Sequence, residues 1–258
     1  SETCADPAVY RSHEDGTYRI GCTGMTQQRS VDQLSQTMTF QPFGDALNFH
    51  GEGDDGPPDW ISNGHFWAPG HSDFNAGNGN GEEQTINVAF FSALQDNGKH
   101  RIGWAMSTTT DSNSWSVFAE TPLELGQAPG GEIDPSVFRD DDDNDGKTYL
   151  LWKTDDNAEG WTTTRLWIQQ VILGFGRVDL VGQPTMVMDS SGLWWVDSWI
   201  DDGSLIEGPE LLKRDGFYYL FFAAGRFCQG SYSEGVARST NILGPYTKLP
   251  VPLLSTDL

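Results

Sequence analysis

Apolar positions along this chain come in short bursts instead of at helical spacing. Runs such as INVAFFSAL (86–94), KTYLLW (147–152) and FYYLFFAA (217–224) are rich in aromatic and aliphatic residues and are bounded by Gly, Asp and Asn. Runs of that length with such borders predict strands, and little of the chain carries the spacing of an amphipathic helix. The expected class is all-β.

Three of these runs belong to a longer repeated pattern. ADPAVYRSHEDGTYRI starts at Ala5, IDPSVFRDDDDNDGKTYLL at Ile133 and IEGPELLKRDGFYYLFF at Ile206. Each places an acid just ahead of a proline, then a strand, a turn ending in Asp-Gly and a Tyr-bearing strand. The turns Asp15-Gly16, Asp145-Gly146 and Asp215-Gly216 suit tight hairpins, because Gly accepts positive φ and Asp bonds its own backbone. A degenerate copy, FWAPGHSDF (66–74), keeps the proline and has an apolar residue in place of the acid.

The marker prolines Pro7, Pro69, Pro135 and Pro209 are 62, 66 and 74 positions apart. A unit of that length holds four strands, and four-stranded units repeated around an axis make a β-propeller. A β-sandwich would also give short strands and frequent turns, but not a recurring acid at the head of a hairpin. The first strand of each blade lines the central channel. Asp6, Asp134 and Glu207 are therefore expected to converge at one end of it, where three facing carboxylates repel unless a function or a metal compensates.

Charge narrows the partners. The chain has 258 residues and a formal net charge of -22, which disfavours nucleic acid and anionic membrane surfaces. It has no apolar run long enough to span a bilayer and no basic and apolar leader at the N-terminus, so it reads as a soluble, already processed domain. The cysteines are Cys4, Cys22 and Cys228. Cys4 and Cys22 flank the first hairpin and could pair, while three free thiols fit the sequence equally well.

These motifs resemble family 43 of the glycoside hydrolases, five-bladed β-propellers acting on arabinose- and xylose-containing polysaccharides. The likeness rests on ADPAVYR with DGTY, FWAP, IDPSVFRDDD with DGKTYLLWK, IEGPELLKRDGFYYLFF and VARSTNILGPY, in the family's order. It implies Asp6 as general base, Glu207 as general acid and Asp134 as the carboxylate that orients the acid and adjusts its proton affinity. An inverting glycosidase needs such a pair about 6.5–9.5 Å apart, with room for a water. YLLWKTDDNA and IEGPELLKRDG look more like exo-acting members, so the expected activity is α-L-arabinofuranosidase on arabinoxylan or arabinan. β-Xylosidase and endo-arabinanase are the alternatives within the family, and a non-catalytic carbohydrate-binding propeller is the alternative outside it. The resemblance also implies a secreted, extracellular protein whose partner is a plant cell-wall polysaccharide.

Sugar C–H faces pack on aromatic rings, which makes Phe66, Trp67, Trp152 and Trp194 or Trp195 candidates for the sugar site, with Arg226 for a hydroxyl or a rim acid. Glu210 is a rival acid, but strand alternation places it opposite Glu207, and only Glu207 stands where Asp6 and Asp134 stand. Glu132 reads as a solvated loop residue. Asp141, Asp143, Asp145 and Gly146 imitate the start of a calcium loop, but the last loop position is Trp152, so an acidic hairpin tip is the better reading. His65 and His71 match no zinc spacing and read as loop histidines. No cofactor is required. The family often holds a structural calcium in the channel beside a fifth-blade histidine, and a fifth proline marker would fall beyond Leu258. A truncated or nicked chain with a complementing C-terminal fragment, a four-bladed variant and an incomplete sequence are the competing explanations, the first favoured because VPLLSTDL reads as a linker.

Overall fold

The structure is a computed structural model that describes residues 8–11, 18–21, 26–30, 40–45, 58–62, 66–77, 83–108, 115, 117–126, 128–141, 146–160, 163–195, 205–225 and 232–255. Among these, all regular structure is strand except one 3-10 turn, Asp156–Glu159. The strands β1 (Ala8–Arg11), β2 (Tyr18–Gly21), β3 (Thr26–Ser30) and β4 (Phe40–Asp45) form one sheet in chain order. A second contains β5 (Phe66–Gly77), β6 (Glu83–Leu94), β7 (His100–Ser107) and β8 (Val117–Phe118). The third contains β9 (Glu132–Asp140), β10 (Lys147–Thr154), β11 (Arg165–Gly174) and β12 (Arg177–Asp189). The fourth runs through β13 (Ile206–Arg214), β14 (Phe217–Ala224), β15 (Ser233–Ser239) and β16 (Thr247–Lys248), with β17 (Leu254–Ser255) also on β15.

Each sheet is thus built on a four-stranded antiparallel meander with its first strand at one edge, the plan of a propeller blade, and the fourth adds β17 as a fifth strand. A sandwich would instead pass strands between two sheets. The backbone groups into two compact units, Ser1–Leu123 with Leu173–Asp179, and Glu124–Ile172 with Leu180–Leu258.

In the first unit, β7 is buried along its whole length and β6 over most of its own, which is why both read as near-continuous apolar runs. Phe66, Ala89, Phe91, Ala105 and Trp115 form a core there. The second unit closes around Leu151, Leu166, Ile168, Ile206, Leu211, Leu220 and Phe222, contributed by both of its sheets. β14 alternates strictly between buried and half-buried residues, so one of its faces supplies that core. The turn between β13 and β14 has Asp215 at φ 50° and Gly216 at φ 77°, the paired positive angles of the tight hairpin expected from Asp-Gly.

The proline markers have a structural meaning. Pro69, Pro135 and Pro209 each lie in the first, edge strand of a sheet, where a missing N–H costs no ladder bond. Each follows a residue of positive φ: Ala68 at 40°, Asp134 at 56° and Gly208 at 57°. At each the pairing register slips, between Trp67 and Gly70, between Ile133 and Ser136, and between Glu207 and Glu210. The repeat is therefore a β-bulge at the head of each of these three sheets, and bulges re-aim side chains.

Candidate active site

The bulges set which residues correspond. Asp134 matches Ala68 and Gly208, while Glu207 matches Ile133 and Trp67. Glu207 thus stands one residue ahead of the Asp134 position, not at it as the sequence suggested. The structure still brings the two together, because Asp134 Oδ2 accepts a 3.0 Å hydrogen bond from the backbone N–H of Gly208. That bond ties the β9 carboxylate to the peptide adjoining Glu207. At their far ends the same strands are fastened by Asp140, which accepts from Lys213 Nζ at 2.6 Å and from the hydroxyl of Tyr218. Burial, followed by the hydrogen bond to Asp140, pushes the Tyr218 phenol up to about 12. Phe138 packs edge-on against the Tyr218 ring.

Both oxygens of Glu207 are engaged. Oε1 accepts a 2.8 Å hydrogen bond from the hydroxyl of Tyr232, and Oε2 lies 3.4 Å from Lys153 Nζ. Lys153 is 1% exposed, and its ammonium also lies 3.5 Å from Asp155 Oδ1. Asp155 is placed by its own backbone: its N–H donates to the carbonyl of Gly131 at 2.8 Å, and a Cβ on Gly130 would lie 1.9 Å from the Asp155 carbonyl oxygen. Lys153, Asp155 and Tyr232 were missed in the sequence. The available signal was a lysine directly after Leu-Leu-Trp, in the middle of a strand too apolar to leave a charge in solvent.

Glu210 lies beside Glu207 and not, as alternation along the strand predicts, opposite it. The extra residue at the bulge cancels strand alternation: Glu207 pairs with Ala223 and Glu210 with Phe221, two positions apart, so both glutamates share one face. Glu210 keeps exposed surface, yet withdrawal of water by the protein around it raises its carboxyl to about 7, with the Ser136 hydroxyl pulling the other way. A carboxyl with a raised native pKa binds more protons folded than unfolded, so its contribution to stability is present below the ordinary glutamate range and lost as pH climbs through 7. Glu210→Gln is accordingly expected to raise the melting temperature at pH 8 and to leave it unchanged at pH 4, by an amount reduced by solvent screening. An equal change at both pH values would show that Glu210 is not desolvated.

The remaining candidates divide. Trp67 is 43% exposed and stacks on His100 with centroids 3.9 Å apart, the geometry of an open aromatic platform. Phe66 is buried and packs edge-on against Phe91 as a core residue. Trp152 is 0% exposed, because β10 is covered on both faces, and no sugar can stack on it. The Trp194 ring is exposed, but its N–H donates to the carbonyl of Pro250 at 2.9 Å, and none of its described contacts joins it to Asp134 or Glu207. Trp195 packs on Phe222 against the core. Glu132 is not a solvated loop residue: it is fully buried in β9 and accepts from the Ala128 N–H at 2.7 Å. His71 is a buried residue of β5 beside Trp115 and not a loop histidine. Asp141 ion-pairs with Arg139 at 2.5 Å. Asp6, Arg226, Cys4, Cys22, Cys228, His65, Asp143 and Asp145 lie outside the described residues. Among the described residues no group of three or more His, Cys, Asp or Glu could hold a metal ion.

Blade-like sheets, two of which bring the carboxylates Asp134 and Glu207 to the heads of their first strands, have the plan of a propeller glycosidase. The family model "Glycosyl hydrolases family 43" matches residues 3–257, and the chain belongs to that family. It is similar to the beta-D-galactofuranosidase xynD of Aspergillus niger, at 27% identity over 76% of this chain and 49% of that protein. It is also similar to a probable arabinan endo-1,5-alpha-L-arabinosidase A of Neosartorya fischeri, at 24% identity over 93% of this chain and 67% of that one. The chain thus spans about half the length of the first of these relatives. Among solved structures, a thermostable family-43 glycoside hydrolase aligns with a TM-score of 0.72 at 23% identity over 98% of this chain and 74% of its own. An endo-arabinase from Bacteroides thetaiotaomicron aligns with a TM-score of 0.71 at 18% identity over 99% and 82%. The fold is that of the family's β-propeller.

Proposed function

We propose that this chain is an inverting glycoside hydrolase of plant cell-wall pentosans, an exo-acting α-L-arabinofuranosidase, with β-xylosidase as the neighbouring specificity. The observation that carries the reading is Glu207, held beside a bulge that Asp134 ties in place, in a chain matched by the family-43 model from end to end. Relatives named as xylosidase/arabinosidase, such as that of Butyrivibrio fibrisolvens at 36% identity over 47% of this chain and 21% of its own, support a pentose substrate.

Glu207 gives its proton to the glycosidic oxygen as the bond breaks, and Asp6 takes a proton from the water that attacks the opposite face of the sugar. Asp134 acts through the Gly208 N–H: it fixes the peptide beside Glu207 and so the direction in which the acid points. Tyr232 donates to one oxygen of Glu207 and Lys153 lies beside the other, so both partners hold the side chain in one direction as its proton is passed to the leaving group. Trp67 provides the apolar platform for a sugar face.

The test is a panel of arabinan, arabinoxylan and xylo-oligosaccharides, with products separated by chromatography and Asp6→Asn as control. Release of single arabinose units, abolished in the variant, is the expected result. Release of xylose alone would move the specificity to β-xylosidase, and no release from any substrate would favour a sugar-binding propeller.

A further inference from the structure

Lys153 is the unexplained group of the site. Its β10 position faces Ile133 across the first strand pair, and the matching positions are Ser92 in the second sheet and Ala223 in the fourth. Of these three, only the third sheet places a long cation there. A buried ammonium is costly unless paired, and removing one partner of such a pair leaves an uncompensated charge. Lys153 is set between two carboxylates at nearly equal distances, 3.4 Å to Glu207 and 3.5 Å to Asp155. Their side chains are 16% and 13% exposed. Were Lys153 only a structural plug, closure onto Asp155 alone would suffice.

We infer that Lys153 is a positioning residue for proton transfer, its charge holding the Glu207 carboxylate in line with the leaving group while Asp155 keeps the ammonium from closing fully onto the acid. This rests on the reading of Glu207 as general acid. Among the described residues, the groups facing Glu207 are Lys153 and Asp155 from the β10 side, Asp134 from β9 through the Gly208 N–H, Tyr232 from the segment entering β15, and Glu210 on its own strand and face. Lys153 is the cation among them. Its loss favours the protonated acid and leaves that acid poorly aimed, whereas loss of Asp155 favours the ionised acid.

The experiment compares the parent enzyme with Lys153→Met, Asp155→Asn and Glu207→Gln on two substrates, a 4-nitrophenyl pentoside and the matching unactivated oligosaccharide, across pH. A nitrophenolate leaves with little proton assistance. Lys153→Met is expected to lose about 10²-fold in kcat on the oligosaccharide and only a few-fold on the aryl pentoside, in keeping with the size of general-acid effects. Its activity should fall off at a higher pH than the parent's, Asp155→Asn should fall off at a lower pH, and Lys153→Arg should recover part of the oligosaccharide rate. Equal losses on both substrates with an unmoved fall-off, or kinetics like the parent's, would overturn the inference. If Lys153→Met does not fold, Asp155→Asn decides: a lowered fall-off supports the role and an unchanged one overturns it. Glu207→Gln separates the two levels. No leaving-group dependence in that variant sinks the assignment of the acid itself, while dependence there without any in the lysine variant sinks only the role of Lys153.

Discussion

Glu207→Gln should lower kcat on an unactivated pentoside by about 10³-fold while leaving the melting temperature close to the parent's. Gln keeps the shape of the side chain and can still accept from Tyr232, so the bulge and its bond to Asp134 survive. What it lacks is a proton to give. The loss should shrink on substrates whose leaving group is itself a good acid, and initial rates on the two substrate types measure it directly. Asp134→Asn is the companion. Asn tolerates the left-handed backbone that Asp134 adopts at φ 56° and can still accept from Gly208, so the fold should hold and the effect should be that of a lost charge. Rates near the parent's in Glu207→Gln would remove this residue from the chemistry and leave Glu210, on the same face, as the next acid to test.

Trp152→Ala should cost about 3–5 kcal/mol of folding stability, the usual price of emptying a large, fully packed site. Trp152 is 0% exposed and belongs to the wall of β10, so it has no route to a sugar. Trp67→Ala makes the contrast, since its ring is 43% exposed and lies over His100. That change should cost under about 1 kcal/mol, as for a surface residue, and appear as a raised KM. Urea unfolding followed by circular dichroism separates the two, with the kinetics measured on the Trp67 variant. A stable Trp152→Ala protein with a raised KM would reverse the assignment.

The blade was legible because its marks are local. Asp-Gly turns, short apolar strands and a recurring proline can be read one segment at a time, and their spacing gives the four-stranded unit. The convergence of Asp134 and Glu207 followed from that repeat, since first strands of neighbouring sheets lie side by side. Their exact relation did not follow. A bulge inserts one unpaired residue without changing composition, so alternation counted along IEGPE separates Glu207 from Glu210, whereas the paired strand returns them to one face. Phe66 and Trp152 were misjudged for a related reason: a single strand does not reveal whether one or both of its faces are covered. The partners of Glu207 lie far off in sequence: Lys153, 54 positions earlier, arrives by packing of the third sheet on the fourth, and Tyr232, 25 later, by the return of the chain within the fourth sheet.

The most direct test of the central claim is proton NMR of the reaction with an α-L-arabinofuranosyl oligosaccharide, recorded fast enough to see which anomer of free arabinose appears first. The β anomer is expected first, with the signal lost in Glu207→Gln. Initial appearance of the α anomer would mean retention through a covalent intermediate and would contradict the division of labour between Asp6 and Glu207.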